Sequence, residues 1–213
     1  MSTGTRWQGS EPTGEESRLA ERLRDSVLFL RRGFSNPAQI CSIMPSGPQV
    51  GQAMVRAIAN RPAEGVVELG GGVGPVTRVL LESGINPALL TSVELDPVLA
   101  RRLGELYPDI EVLNVAAQDL AAIWREQGWD KVGGVVSTLP LKIFDPEIVD
   151  AVIKSTFEIL EPGGCFVQFT YRFVSPVDQE IIDRFGLEAR RSEIAWLNLP
   201  PASIWVFSLK DQQ

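Results

Sequence analysis

The sequence predicts an α/β fold: a mostly parallel sheet of seven strands, helices on both faces, and a C-terminal antiparallel hairpin. Three observations carry that prediction. Short apolar runs alternate with helix-period segments from about residue 65 to residue 160, the spacing of repeated β-α units in a covered parallel sheet. A glycine-rich bend, Glu68-Leu-Gly-Gly-Gly-Val-Gly74, follows the first apolar run and opens a helical pattern. Two β-compatible runs near the C-terminus flank Pro200-Pro201, which reads as a hairpin and its loop.

Taken in order, residues 1–16 are rich in Gly, Ser, Thr and Glu, with Pro12, and read as a disordered lead. Residues 17–60 read as N-terminal helices. Leu19, Leu23, Val27, Leu30 and Phe34 recur at three- and four-residue steps from Ser17 to Phe34, until Asn36-Pro37 stops them. A second helix is expected from Ser46, a good N-cap, through Val50, Met54 and Ile58. The main domain is expected over residues 61–210. Its strands fall at Gly65–Leu69, Leu90–Leu95, Ile110–Asn114 and Gly133–Thr138, with helices near Val76–Ser83, Pro97–Tyr107, Asp119–Gln127 and Pro146–Leu160. Glu161-Pro-Gly-Gly is expected to turn the chain into a strand over Cys165–Tyr171, and Leu187–Ala195 with Ser203–Leu209 to form the hairpin.

Composition narrows the chemistry. The 213 residues suit one domain with a full core. Twenty basic against 27 acidic residues give a net charge of −7, a field that repels nucleic acid unless a local basic patch overrides it. Histidine is absent, which removes imidazole triads and general bases and the usual zinc sites. Cys41 and Cys165 lie far apart in no metal-type spacing, so no metal is expected. No signal-peptide pattern and no apolar run of about 18 residues is present; the expected address is the cytoplasm.

The glycine bend calls for an adenosine-bearing ligand, since an acidic residue, Glu94, ends the next strand about one β-α-β unit later and can take two ribose hydroxyls. Dinucleotide sites use Gly-x-Gly-x-x-Gly to seat a pyrophosphate on a helix N-terminus. Here Gly70, Gly72 and Gly74 fit Gly-x-Gly-x-Gly, and Pro75 follows. Glu68 beside the bend would repel a pyrophosphate but suits a cationic amino-acid moiety. That charge argument favours S-adenosylmethionine, with Glu68 near the methionine ammonium, the three glycines making room and Glu94 on the ribose. The loop Asn114-Val-Ala-Ala-Gln-Asp119 would offer adenine the Ala117 backbone and the Gln118 or Asp119 side chain. The loop Ser137-Thr-Leu-Pro-Leu141 lies where the methyl group should point.

At these residues the chain resembles the class I S-adenosylmethionine-dependent methyltransferases, specifically the small bacterial phospholipid N-methyltransferases. The resemblance spans roughly residues 26–209. Its supporting segments are Ile43-Met-Pro-Ser-Gly47, Ser137-Thr-Leu-Pro-Leu141, Phe166-Val-Gln-Phe-Thr-Tyr171 with Ser175-Pro176, and Trp196-Leu-Asn-Leu-Pro-Pro201 before Ile204-Trp-Val-Phe. It implies a Rossmann-like fold and stepwise methylation of phosphatidylethanolamine to phosphatidylcholine, releasing S-adenosylhomocysteine. The family's range also includes other amino lipids such as ornithine lipids. Val115-Ala116-Ala117 stands where the family often has Gly-Asp-Ala, which removes the usual adenine-facing acid and lowers the expected cofactor affinity. Ser46, Thr77, Leu95 and Ser137 complete the expected cofactor contacts. Expected on the acceptor side are Phe34, Thr138, Leu139, Lys142, Tyr171 and Arg172, with Phe144 and Trp196 as lesser candidates.

The leading helix fits a lipid substrate. Its apolar stripe, including Leu23, Val27 and Leu30, is bordered by Arg22, Arg24 and Arg31, and Arg18–Arg32 carries a surplus of three positive charges. Such a helix lies in a membrane interface, or packs its leucines on the domain. The expected partners are therefore a phospholipid and an anionic membrane surface, with the protein peripheral on the inner face of the cytoplasmic membrane and no nucleic acid bound. Methyl transfer to an amine needs alignment above all. A base, if used, would be Tyr171, a carboxylate through water, or solvent. Tyr171, at the end of the strand carrying Gln168 and Phe169, is the candidate catalytic residue. Two rivals stand: RNA adenine N6-dimethylation, whose enzymes generally show Asn-Leu-Pro-aromatic where this chain has Thr138-Leu-Pro-Leu141, and a non-catalytic cofactor- or lipid-binding module.

Overall fold

Seven strands form in the predicted order: β1 (Val66–Leu69), β2 (Leu90–Val93), β3 (Glu111–Leu113), β4 (Val132–Ser137), β5 (Leu160–Thr170), β6 (Leu187–Ala195) and β7 (Ala202–Leu209). The helices are α1 (Pro48–Ile58), α2 (Pro75–Glu82), α3 (Pro97–Leu106), α4 (Leu120–Gln127), α5 (Pro146–Ile159) and α6 (Gln179–Arg184). The computed structural model describes residues 48–58, 64–196, 198 and 200–210. The lead, the Ser17–Phe34 helix with its arginines, and the candidate residues Phe34 and Ser46 lie outside the described residues.

The helices start where the sequence presets φ and supplies a cap. Pro75, Pro97 and Pro146 each stand in the first turn of their helix, where a missing N–H costs nothing. Asp96 caps α3 by accepting from the Val98 and Leu99 N–H groups at 2.8 and 3.2 Å. Gly128, at φ 66°, ends α4 in the left-handed region.

The strand order is β3-β2-β1-β4-β5-β7-β6. β1 pairs in parallel with β2 and β4, β2 with β3, and β4 with β5. β7 runs antiparallel between β5 and β6. The chain order reverses direction at β1 and β4, and ligands of such sheets bind outside the carboxyl ends of the strands at that point. Register brings Leu69 beside both Val93 and Ser137, and Ser137 beside Gln168. The residues that follow these ends therefore converge on one crevice.

Alternation sorts the strands onto two faces. On one face Val66, Leu90, Val136, Val167, Ile204 and Val206 pack with Val50, Met54 and Ile58 of α1 and Val76 and Leu80 of α2. Two glycines let α1 come close. A Cβ on Gly51 would stand 3.0 Å from Val79, and one on Gly134 would stand 3.2 Å from Ile58. Met54 is fully buried, so Met54→Ala would cost about 2–5 kcal/mol. On the other face Phe166 and Phe207 pair as cross-strand neighbours with ring centroids 5.7 Å apart.

Two elements depart from expectation. Glu161-Pro-Gly-Gly does not form a separate turn. β5 already pairs at Leu160 with Val132, and the register shifts before Gly134 meets Cys165. The glycine bend, with Gly163 at φ 80°, is absorbed as an irregularity in the strand. The short helix α6 has no counterpart in the sequence reading, because six residues around Ile181-Ile182 carry too little periodicity to register.

Candidate active site

The bend after β1 is built from four glycines with different reasons to be there. Gly70, Gly72 and Gly74 sit at φ 83°, 56° and 85°, conformations that side-chain-bearing residues rarely adopt. A Cβ on Gly70 would stand 2.9 Å from Thr138 Oγ1, and one on Gly74 would stand 2.6 Å from the Tyr107 ring. One on Gly71 would collide with Ser92 Oγ and approach Leu103 at 2.6 Å. Above Gly72 the nearest atom is a bend carbonyl at 4.0 Å. Three glycines thus accommodate the protein's own packing, and Gly72 faces open space. Backbone bonds from Gly70 and Gly71 N–H to Val93 O, at 2.8 and 3.2 Å, tie the bend to the end of β2.

Two acids flank the bend from opposite sides. Glu68 is completely buried. Its Oε2 accepts from Thr77 Oγ at 2.6 Å and from Ser92 Oγ at 2.7 Å, while Oε1 is buried without a hydrogen-bond partner. Burial pushes the Glu68 carboxyl above the ordinary carboxylate value, opposed by the Thr77 and Ser92 hydroxyls and the Thr77 backbone. Thr77, expected at the cofactor, is itself fully buried and gives its hydroxyl to Glu68. Glu94 lies half-buried one residue past β2. Its Oε2 accepts from Gly72 N–H at 2.9 Å and its Oε1 from Asp96 N–H at 2.8 Å. Asn114 holds this corner from β3, its amide donating to the Glu94 and Leu95 carbonyls at 2.8 and 2.9 Å.

The next loops complete the crevice. Ala117 and Gln118 are half-buried and begin a short 3-10 turn over Ala117–Asp119. After β4, Thr138 is locked to the bend: its N–H donates to Leu69 O at 2.9 Å and its hydroxyl to Gly70 O at 2.7 Å. Ser137 Oγ accepts from Leu139 N–H at 3.2 Å. Gln168, buried on β5, donates to the carbonyls of Leu139 at 2.9 Å and of Phe169 at 2.8 Å, so it supports the Leu-Pro loop from behind.

Tyr171, just past β5, is half-buried, edge-on to Phe169 at 5.3 Å, and hydrogen-bonded to Asn198. Burial pushes its hydroxyl up, opposed by the Asn198 bond; at neutral pH it is a phenol. Lys142 pairs with Asp178 at 2.5 Å, and Arg172 is exposed. Among the described residues no cluster of three His, Cys, Asp or Glu side chains suited to a metal is found.

Sequence reasoning passed over Ser92, Asn114 and Asn198 as site residues. Ser92 sits two residues before Glu94 on the same strand face as Glu68's neighbours, a period-2 relation that marks it once the strand is drawn. Nothing in the sequence alone tells which carbonyls Asn114 or Gln168 will brace.

The residues present fit an adenosine-bearing cation. Gly72 leaves an opening at the crevice, the Glu94 carboxylate stands beside it on the Gly72 N–H, and the orphaned Glu68 Oε1 is an acceptor that a cationic group or bridging water would satisfy. Fold and site together define a class I S-adenosylmethionine-dependent methyltransferase. The chain is 31% identical over 192 residues to the ornithine lipid N-methyltransferase of Singulisphaera acidiphila, covering 86% of this chain and 95% of that protein. It belongs to the same family of methyltransferases as that protein. A ribosomal RNA small subunit methyltransferase A of Chlamydia trachomatis serovar L2 is 33% identical over 86 residues, which is 40% of this chain and 30% of that protein. Among solved structures, the 1,6-didemethyltoxoflavin-N1-methyltransferase of Burkholderia thailandensis, bound to its acceptor and S-adenosylhomocysteine, superposes with a TM-score of 0.65 at 15% identity. It covers 95% of this chain and 94% of that one, a likeness of fold. No family model matches the chain.

Proposed function

We propose that this enzyme transfers methyl groups to the amine of a membrane amino lipid, with an ornithine lipid as the leading acceptor. The observation that carries the reading is the match to an ornithine lipid N-methyltransferase over 95% of that protein's length. Phosphatidylethanolamine, put first by the resemblance of the sequence motifs, becomes the second head group to test. The likeness to ribosomal RNA small subunit methyltransferases A covers 30% of the Chlamydia trachomatis enzyme and 56% of the Paracidovorax citrulli one, and Thr138-Leu-Pro-Leu141 lacks the polar and aromatic pair expected of an adenine grip.

When bound, S-adenosylmethionine would supply an electrophilic methyl carbon on a sulfonium: a neutral amine would attack that carbon in line, and the thioether would leave with the C–S electron pair. The chain's contribution is placement. Glu94 and the Gly72 opening would hold the ribose end, with the unpaired Glu68 Oε1 beneath the bend. Thr138 and Gln168 tie the Leu-Pro loop to the bend and to β5, so an acceptor resting on the loop would be held beside the crevice. With no imidazole in the chain and Tyr171 protonated at neutral pH, the proton leaving the amine would go to solvent or, through water, to a carboxylate. This supports proximity as the main source of rate.

Labelled donor and purified protein, incubated with vesicles containing ornithine lipid or phosphatidylethanolamine and with ribosomal RNA, test the reading. Label should enter the ornithine lipid fastest. Label in RNA alone would overturn it.

A further inference from the structure

Nine large apolar side chains are exposed among the described residues, and their distribution is one-sided. Leu89, Leu106 and Leu209 lie at the amino edge of the parallel sheet. The other six follow strand carboxyl ends: Val73 after β1, Val98 after β2, Ile143 after β4, Phe173 and Val174 after β5, and Trp196 after β6. β6 is antiparallel to β7, which is antiparallel to β5, so β5 and β6 finish at the same edge as the cofactor crevice. There Phe173 and Trp196, 52% and 67% exposed, pack together with ring centroids 6.3 Å apart.

The charge beside this pair is positive. Arg172 precedes Phe173 and is exposed. Arg191 reaches from β6 to donate to the Phe173 carbonyl at 3.3 Å. The nearby acids Asp178 and Glu193 are bound in ion pairs with Lys142 and Arg56. On a chain of net charge −7, an aromatic knob with arginines at its base is a local exception. Aromatic rings over basic side chains are the chemistry that settles into an anionic lipid interface.

We infer that Phe173, Val174 and Trp196 form a membrane-docking knob that seats the carboxyl edge of the sheet on an anionic bilayer, apart from any contact made by the leading helix. The inference rests on the amino-lipid reading and deepens it. A knob at this edge delivers the crevice opening to the depth of lipid head groups, so an amine need not leave the membrane to reach the cofactor.

The full chain is mixed with vesicles of phosphatidylglycerol and phosphatidylethanolamine whose acyl chains carry bromine, and tryptophan fluorescence is compared with that in unbrominated vesicles. Quenching should occur with the wild type and should be clearly smaller in Trp196→Phe, the difference being the share of Trp196 among the five tryptophans. Phe173→Ser should weaken vesicle affinity by about tenfold, the scale of withdrawing one ring from an apolar phase, with S-adenosylhomocysteine binding retained as the check on folding. Equal quenching in wild type and Trp196→Phe would overturn the inference. So would light scattering that shows a dimer broken by Phe173→Ser, since a second copy would then cover the knob. Quenching needs no turnover: absence of methyl transfer to every amino lipid, with Trp196 still quenched, would sink the acceptor assignment and leave the docking surface standing.

Discussion

The Tyr171 hydroxyl is hydrogen-bonded to the side chain of Asn198, joining the end of β5 to the turn between β6 and β7. Asn198 is itself fixed by donating to Pro200 O at 2.7 Å and through its N–H to Ala195 O at 3.2 Å. Two of the stretches that carry the family resemblance, Gln168-Phe-Thr-Tyr171 and the turn with Asn198 and Pro200, thus meet at the carboxyl edge of the sheet.

Because the two residues act through one bond, Tyr171→Phe and Asn198→Ala should each lower turnover while leaving S-adenosylhomocysteine affinity within about twofold. The double variant should be little worse than either single one, a coupling of about 0.5–3 kcal/mol in a double-mutant cycle. Additive losses in turnover would show that the bond is incidental. Unchanged turnover of Tyr171→Phe in mixed micelles would remove Tyr171 from the acceptor machinery.

The glycines of the bend should separate by phenotype. Gly71→Ala drives a methyl group into Ser92 and Leu103 and should destabilise by about 1–3 kcal/mol or more. Gly72→Ala meets no such obstacle and costs only the left-handed backbone penalty, about 1–2 kcal/mol. It should stay folded yet bind S-adenosylhomocysteine more weakly. Thermal melts and a cofactor titration on both variants check the contrast, and wild-type affinity in Gly72→Ala would show that the ligand does not approach there.

Glu68 predicts a pH signature. Its carboxyl value is raised in the fold from an ordinary 4.5, chiefly by burial. Above 4.5 the unfolded chain releases a proton that the folded protein still holds, so stability falls as pH rises through that window toward the raised value. Below 4.5 the contribution is fully present. Glu68→Gln cannot ionise and should gain stability relative to wild type as pH rises above 4.5, read as a widening difference in Tm. Parallel curves would mean that Glu68 titrates normally.

Much of the fold was legible because it rests on periodicity. The β-α alternation, the Pro-initiated helices and the hairpin around Pro200-Pro201 all follow local patterns that burial enforces. Local patterns fail where long-range pairing decides. The Pro162-Gly163-Gly164 stretch reads as a turn on its own, but β4 captures Leu160 and draws the strand back through it. In the site, Glu94 and the glycine bend were visible as residue types at a spacing. Lys142, expected on the acceptor side, pairs with Asp178, thirty-six positions away. That partner, like Ser92 beneath Gly71 and Asn114 behind Glu94, is set by strand register, which no single segment encodes.

The central claim is that Glu94 and the open bend at Gly72 together hold the adenosyl cofactor. Calorimetric titration of S-adenosylhomocysteine into wild type and Glu94→Ala tests it most directly. Removing a charged acceptor should weaken binding about 10- to 100-fold, ~1.4–2.8 kcal/mol, with the melting transition still cooperative. Equal affinity in the two folded proteins would contradict the claim.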